Sequence, residues 1–160
     1  MSKLRAHTLE KYLNVLSQRT PAPGGGSAAA LTGALGASLL CMVTNFSRPK
    51  KTKEKRNPNM DKLLKQLESI RRRLLILVDL DAQAYLNVVK ASKKSLAQKK
   101  IALRKAQKVC LETCQLCYKA VTLAVYLAKH GNKYLISDVQ VAVELLMAAF
   151  NGALVLSRDQ

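Results

Sequence analysis

The sequence predicts an all-α protein, an antiparallel bundle of about five helices that forms one domain over residues 1–160. Aromatic residues make up 4% of a chain that is 49% hydrophobic, so its apolar residues are mostly Ala, Leu and Val and lack the aromatic enrichment of strands. Apolar residues recur three and four positions apart over long segments, which indicates helices. Short links between these segments place consecutive helices side by side and antiparallel. The length suits one core and is too short for two well-packed ones.

A short first helix is predicted after Thr8, a residue type suited to N-capping. The helix ends before Pro21, which opens a loop that continues through Gly26. Its apolar face consists of Leu9, Tyr12, Leu13 and Leu16.

The second predicted helix begins with Ser27 as its N-cap and runs to about Asn45. It is apolar almost all round, so we expect it at the centre of the fold. Gly33 and Gly36 would let neighbouring helices approach closely. The uncharged stretch 21–47 exceeds the ~20 residues needed to cross a bilayer. Its Ala, Gly, Ser and Thr residues enter lipid only weakly, so we expect a buried soluble helix and no membrane partner.

The third predicted helix starts near Met60 and runs to about Ala91, after a basic and exposed connection over residues 48–59. Asp81 occupies a register position that otherwise holds apolar residues. A buried carboxylate costs several kcal/mol unless it is paired, hydrogen-bonded or protonated. We expect burial to raise its pKa towards the range of a general acid or base; the alternative is a structural ion pair. The packing seam is Leu63, Leu67, Ile70, Leu74, Leu77, Asp81, Ala84 and Val88.

The fourth and fifth helices follow a basic, loosely patterned segment over residues 93–100. Gly131 is placed to end the fourth helix. The fifth helix is predicted to open at Ser137, which with Gln140 supplies the two side chains of a capping box. The buried face of the fourth helix is predicted to be Leu103, Ala106, Cys110, Cys114, Cys117, Val121, Ala124 and Ala128.

The four cysteines predict reduced thiols in a cytoplasmic protein, since no signal peptide precedes them. Cys110, Cys114 and Cys117 have the spacing with which some enzymes hold an iron–sulfur cluster, but they share one helical stripe with apolar residues. Packing in the core is therefore the better account. Zinc is disfavoured because only His7 and His130 could join them, without paired ligand spacing. We expect no metal.

The formal net charge is +17, from 27 Lys and Arg against 10 Asp and Glu, and predicts attraction to polyanions. Nucleic acid, an acidic membrane face and a carboxylated small molecule would all respond to it. A basic module that binds nucleic acid through residues 50–56 and 93–108 is one alternative. These stretches lack interleaved aromatic residues and carry no known DNA-reading motif.

The segment Pro21-Ala-Pro-Gly-Gly-Gly-Ser27 is a candidate binding loop. Three glycines ahead of a helix start expose backbone N–H groups, and the partial positive charge there favours an anion or a polar ligand edge. The alternative is a flexible linker.

Four segments together resemble the cyclodeaminase/cyclohydrolase family, which acts on one-carbon units carried by tetrahydrofolate. The glycine loop with the helix through Cys41-Met-Val43 resembles the family's opening motif, and Pro49-Lys-Lys51 resembles its basic segment. Asp81-Ala-Gln-Ala-Tyr85 matches an Asp-x-x-Ala-aromatic pattern. Gly131-Asn132 followed by Ser137-Asp-Val139 matches the late elements. The resemblance covers most of the chain.

This resemblance implies a helical homodimer that either hydrolyses 5,10-methenyltetrahydrofolate or deaminates 5-formiminotetrahydrofolate, with Asp81 as general acid or base. It implies no metal or redox cofactor, and the folate derivative is the substrate. Lys50 and Lys51 would meet the folate glutamate carboxylates. The implied substrate-binding residues are Pro23, Gly24, Gly25, Gly26, Ser27, Lys50, Lys51, Asn132, Ser137 and Asp138.

Four departures from the family pattern favour a non-catalytic dimeric homologue as the alternative. One is a charge balance that is unusually basic for a metabolic enzyme. Thr52-Lys53 stands where an aromatic often follows the basic segment, and Cys117 stands near an expected proline. The chain ends at Gln160, where family members usually continue, so the pocket could lack a C-terminal part. The sequence leaves open which of the two reactions applies.

Overall fold

The protein is described here by a computed structural model that covers residues 3–48 and 57–158. Over these ranges it consists of five α-helices and two 3₁₀ turns, without strands. The all-α prediction is therefore confirmed. The helices are α1 (Leu9–Leu16), α2 (Gly25–Phe46), α3 (Pro58–Ala91), α4 (Leu96–His130) and α5 (Ile136–Arg158), and the 3₁₀ turns are Leu4–Ala6 and Lys133–Leu135.

The four long helices form an antiparallel ring in which α2 packs on α3 and α5, and α4 packs on the same two helices. Gly25 at the start of α2 faces Leu156 near the end of α5. At the other end of α2, Ser47 accepts a hydrogen bond from the Asn132 N–H just before α5 (2.8 Å). These two contacts show that α2 and α5 run antiparallel.

The glycines of α2 permit close approach of its neighbours, as predicted. A Cβ atom added at Gly36 would stand 2.8 Å from the carbonyl oxygen of Ala142, and one at Gly33 would stand 2.9 Å from Cys117 Sγ. Both distances are shorter than ordinary van der Waals contact. α2 therefore lies within the core, where Leu40 and Val43 are fully buried.

We predict that Gly36→Ala destabilises the protein by about 1–3 kcal/mol, because overpacking against backbone atoms cannot be relieved by a side-chain rotation. Gly152→Ala is the control, since its Cβ would meet only the Ala29 Cβ at 3.7 Å. Alanine is the better helix former, by up to about 1 kcal/mol, so the control should unfold at equal or higher urea concentration. Equal midpoints for Gly36→Ala and wild type would contradict the close packing.

The predicted buried seam of α3 is confirmed, and only its last member, Val88, is half-buried. The predicted face of α4 is correct in its middle, where all three cysteines are buried. Leu103 and Val121 are half-buried. The predicted face is wrong at its C-terminal end, where Ala128 is exposed and Leu127 is buried instead. A helix with 3.6 residues per turn drifts around its axis relative to a fixed pattern of threes and fours.

Two predicted helix starts are wrong. Gly24, not Ser27, is the N-cap of α2, so Ser27 is the third residue of the helix, and its side chain is buried. α5 begins at Ile136, directly after the 3₁₀ turn that Asn132 caps, so Ser137 is its second residue and not its N-cap. At α2, the Ser27 side chain packs against another helix and does not cap its own. At α5, the preceding 3₁₀ turn takes the place of a separate N-cap.

Within the described residues, α2 and the segment Lys133–Arg158 are long and apolar enough to cross a membrane by length and composition. Core helices of soluble proteins pass the same test, and 61% of the apolar window of α2 is buried inside the fold. The corresponding share for α5 is 28%, and its outer face exposes Val141, Met147 and Val155. The fold therefore leaves one face of α5 apolar and uncovered.

Candidate functional site

The centre of the candidate site is the Asp81 carboxyl group, which lies against the first turn of α2. Asp81 is 9% exposed, so its predicted burial is confirmed. A Cβ atom added at Gly26 would overlap the Asp81 carboxylate oxygens. The carboxylate thus occupies the space that any side chain at position 26 would fill.

Burial raises the pKa of Asp81 from its ordinary 3.8 to about 6, because the low-dielectric surroundings disfavour the charged form. A hydrogen bond from the Ser27 backbone N–H acts in the opposite direction and stabilises the carboxylate. Within the described residues no cation pairs with Asp81; the ion pairs there join other carboxylates, among them Arg5 with Asp79 and Arg73 with Glu112. The structural ion-pair alternative therefore gains no support.

Two further side chains approach Asp81 from other helices. The Tyr12 hydroxyl of α1 lies 2.9 Å from Ser27 Oγ, and burial together with the Asp81 charge raises the pKa of Tyr12. On α4, burial and the Asp81 charge raise the pKa of the Cys110 thiol to about 11. Both groups are neutral near pH 7, so the site holds one ionisable acid among uncharged neighbours.

Sequence reasoning did not place Tyr12 in the site. A tyrosine on the apolar face of an amphipathic helix is more often a core residue, and nothing in the chain connects it with an acid 69 positions later. Only the position of Ser27 inside α2, with its side chain turned to α1, could have indicated the contact.

The glycine segment forms the accessible side of the site. Gly25 and Gly26 are the first residues of α2, so they belong to a helix and not to a linker. A Cβ atom at Gly24 would meet nothing within 4 Å, which leaves open space above the N-cap. Pro23 is buried behind it, after a cis peptide bond. The N–H groups of Gly25 and Gly26 can face a polar ligand edge beside the carboxylate.

The other predicted binding residues lie at the opposite end of the bundle. Asn132 contacts Ser47, beyond the C-terminus of α2, and its side chain accepts from the Tyr134 N–H at 3.0 Å. The 22 residues of α2 separate this end from Gly25 by about 30 Å at 1.5 Å per residue. Ser137 and Asp138 lie in the first turn of α5, at the same end. Within one chain, these three residues therefore do not meet Asp81.

Lys50 and Lys51 lie outside the described residues. Arg48, just before them, contacts Asp61 at 2.7 Å, at the C-terminal end of α2.

The cysteine stripe is confirmed as part of the core. All four thiols are free and buried, and burial raises the pKa of Cys117 to about 12. Thiols held in their protonated form are poor nucleophiles and poor metal ligands. The stripe therefore serves packing.

The basic residues concentrate around the turn between α3 and α4. Residues 82–111 contain eight Lys and Arg and no Asp or Glu. Lys93, Lys94, Lys100 and Lys105 are exposed there. This arrangement accounts for part of the net charge.

Comparison with known proteins gives the same family over nearly the whole described chain. Residues 8–157 match the family described as Formiminotransferase-cyclodeaminase. The chain is 35% identical over 156 residues to methenyltetrahydrofolate cyclohydrolase of Methylorubrum extorquens, covering 91% of this chain and 75% of that protein. It is 34% identical over 155 residues to formimidoyltransferase-cyclodeaminase of Gallus gallus, covering 91% of this chain and 29% of that protein.

A solved structure agrees with both the fold and the sequence match. The crystal structure of formiminotetrahydrofolate cyclodeaminase from Thermotoga maritima superposes with a TM-score of 0.92 at 31% identity. The superposition covers 98% of this chain and 79% of that one. The chain thus spans most of the cyclohydrolase and the cyclodeaminase, and less than a third of the longer chicken protein.

Proposed function

Because the chain belongs to the formiminotransferase-cyclodeaminase family, we propose that it hydrolyses 5,10-methenyltetrahydrofolate or releases ammonia from 5-formiminotetrahydrofolate. The observation that carries this proposal is the buried Asp81 carboxyl group, with a pKa of about 6, against the glycine start of α2. A pKa near the pH at which an enzyme operates suits a group that must both accept and donate a proton.

For hydrolysis, the carbon under attack lies in a cationic amidinium. The Asp81 carboxylate stabilises this charge and takes a proton from the attacking water as the C–O bond forms. It then returns the proton to the folate nitrogen N5 as the bond from N5 to the same carbon breaks, and the hydroxyl group of the intermediate loses its proton to water as it becomes the carbonyl of the formyl group on N10. No second ionisable group is needed, which agrees with the uncharged neighbours of Asp81.

For deamination, the roles run in the opposite order. N10 attacks the formimino carbon and its N–H proton passes through water to the formimino nitrogen; protonated Asp81 then donates its proton to the resulting amine, so that the C–N bond breaks, ammonia leaves and the amidinium forms. In both reactions the N–H groups of Gly25 and Gly26 would hold a polar edge of the pterin.

We propose further that the protein is a homodimer whose subunits complete each other's site. The predicted binding residues lie at both ends of the antiparallel bundle, about 30 Å apart along α2. A two-fold axis across the middle of α2 and α5 would place the glycine end of one protomer beside the Asn132 end of its partner. The apolar surface that would be covered includes Leu35, Val141 and Val155, which are 50%, 53% and 57% exposed.

We predict that Val141→Glu yields a folded monomer with turnover at least about tenfold lower, because a charge in an apolar interface is left unpaired and desolvated. Val125→Glu on α4 is the matched control, since Val125 is 54% exposed on another helix. Sedimentation velocity, circular dichroism and turnover of both variants check the prediction. A Val141→Glu dimer with normal activity would exclude this interface.

The proposed activity is tested directly with the two substrates. Purified protein should accelerate the loss of methenyltetrahydrofolate absorbance above its spontaneous hydrolysis, or release ammonia from formiminotetrahydrofolate. A folded dimer that does neither would be the non-catalytic homologue. The nucleic-acid alternative gains no support from the comparisons.

A further inference from the structure

A chain of buried hydroxyl and amide groups leads from α1 to the acid. The side chains of Tyr12 and Ser27 are 4% and 0% exposed, and their hydroxyl oxygens are 2.9 Å apart. The Asp81 carboxyl group lies directly against Gly26, the residue before Ser27, and a hydrogen bond from the Ser27 backbone lowers the pKa of Asp81. Ser27 thus contacts Tyr12 with its side chain and Asp81 with its backbone.

Ser27 differs in this respect from the other hydroxyl residues of α2. Thr32, Ser38 and Thr44 each donate to the carbonyl four residues earlier in the same helix, at 2.7–2.9 Å. Ser27 lies in the first turn, where the position four residues earlier precedes the helix. Its hydroxyl instead joins α2 to α1, at the residue whose N–H faces the carboxylate.

We propose that Tyr12 is a positioning residue for Asp81, because its hydroxyl fixes Ser27 so that the Ser27 N–H stays directed at the Asp81 carboxylate. The inference rests on the proposed function and adds a residue to that site. Tyr12 does not need to touch the substrate, since it acts through Ser27.

The removal of the Tyr12 hydroxyl has two expected consequences. A buried Ser27 hydroxyl loses its partner, so the first turn of α2 can shift. A weaker N–H bond to the carboxylate then favours protonated Asp81. The other titratable groups facing Asp81 are Tyr12 itself and Cys110, and burial keeps both neutral below pH 8. For hydrolysis, which needs ionised Asp81, the acid limb of the rate profile should therefore move to higher pH; for deamination, which needs protonated Asp81, the alkaline limb should move in the same direction.

The experiment compares Tyr12→Phe, Ser27→Ala and the double variant with wild type. Each single variant should lower kcat by about five- to twentyfold, while KM stays within about twofold of the wild-type value. Such a pattern would show that the loss affects the chemical step and not substrate binding. The limb of the pH profile that Asp81 sets should move up by about half a pH unit. The double variant should be no more than about twofold slower than either single variant, because residues that act as one unit are not additive. Tyr118→Phe, at a residue 65% exposed on α4, should match wild type.

Other outcomes would overturn the inference. A lower melting temperature with an unchanged pH profile would make Tyr12 a core residue only, and additive losses would show that Tyr12 and Ser27 act separately. Should wild type turn over neither folate, the proposed function fails, and the inference is then tested by the carboxyl ¹³C titration of Asp81. In that titration Tyr12→Phe should raise the pKa, and an unchanged pKa rejects the positioning role.

Discussion

Asp81→Asn is expected to lower kcat by about a thousandfold, while it raises the melting temperature at pH 8. General acid–base catalysis contributes about 10²- to 10⁴-fold, and an amide can neither accept nor donate the proton at this position. The amide oxygen can still accept the hydrogen bond from the Ser27 N–H. Substrate binding through the glycine end should therefore change much less than kcat.

The gain in stability follows from the direction of the pKa change. The pKa of Asp81 is about 6 in the folded protein and has an ordinary value of 3.8, so folding favours the protonated form. This contribution is fully present below about pH 4 and is lost as the pH rises through 6. At pH 8 the ionised carboxylate costs up to roughly 3 kcal/mol, and asparagine removes that cost.

Thermal unfolding between pH 5 and pH 8 measures this effect beside the kinetic assay. The difference in melting temperature between Asp81→Asn and wild type should widen over this range. Asp79→Asn is the control on the same helix: its carboxylate pairs with Arg5 at the surface (3.2 Å), so the loss should be at most about 1 kcal/mol. A lower melting temperature of Asp81→Asn at pH 8 would show that the carboxylate is stabilised by a cation and is not poised for proton transfer.

The helices and the buried acid could be predicted from sequence because both depend on local periodicity. The seam keeps its register from Leu63 to Ala84 within the 34-residue helix α3, so a single carboxylate within it is conspicuous. Apolar spacing alone shows that Asp81 faces a core. It does not show what covers the carboxylate.

The remainder of the site depends on contacts between distant segments. Ser27 has the residue type of an N-cap, yet its hydroxyl bonds to Tyr12 on another helix, and the helix starts at glycine instead. Likewise, the sequence motifs predicted that all the binding residues belong to one site. Antiparallel helices alternate their ends, so Asn132 lies at the end opposite Gly25. The partner of Ser27 and the position of Asn132 both depend on tertiary packing, which a local sequence pattern does not predict.

Gly26→Ala should abolish most activity and destabilise the protein by about 1–3 kcal/mol, because an added methyl group would overlap the Asp81 carboxylate. The backbone itself tolerates alanine, since none of the described glycines has a positive φ angle. Alanine is also the better helix former. The whole cost therefore comes from displacing the carboxyl group.

A second variant tests whether the methyl group at position 26 meets Asp81, because the effect of Gly26→Ala on stability should then change sign. With Asp81→Ala in place, the carboxylate is absent, and Gly26→Ala should become neutral or stabilising by up to about 1 kcal/mol, the difference in helix propensity. Urea unfolding of the two single variants and the double variant gives the coupling energy between the positions. An equal loss of stability from Gly26→Ala in both backgrounds would mean that the methyl group meets something other than Asp81. A different contact would then require glycine at position 26.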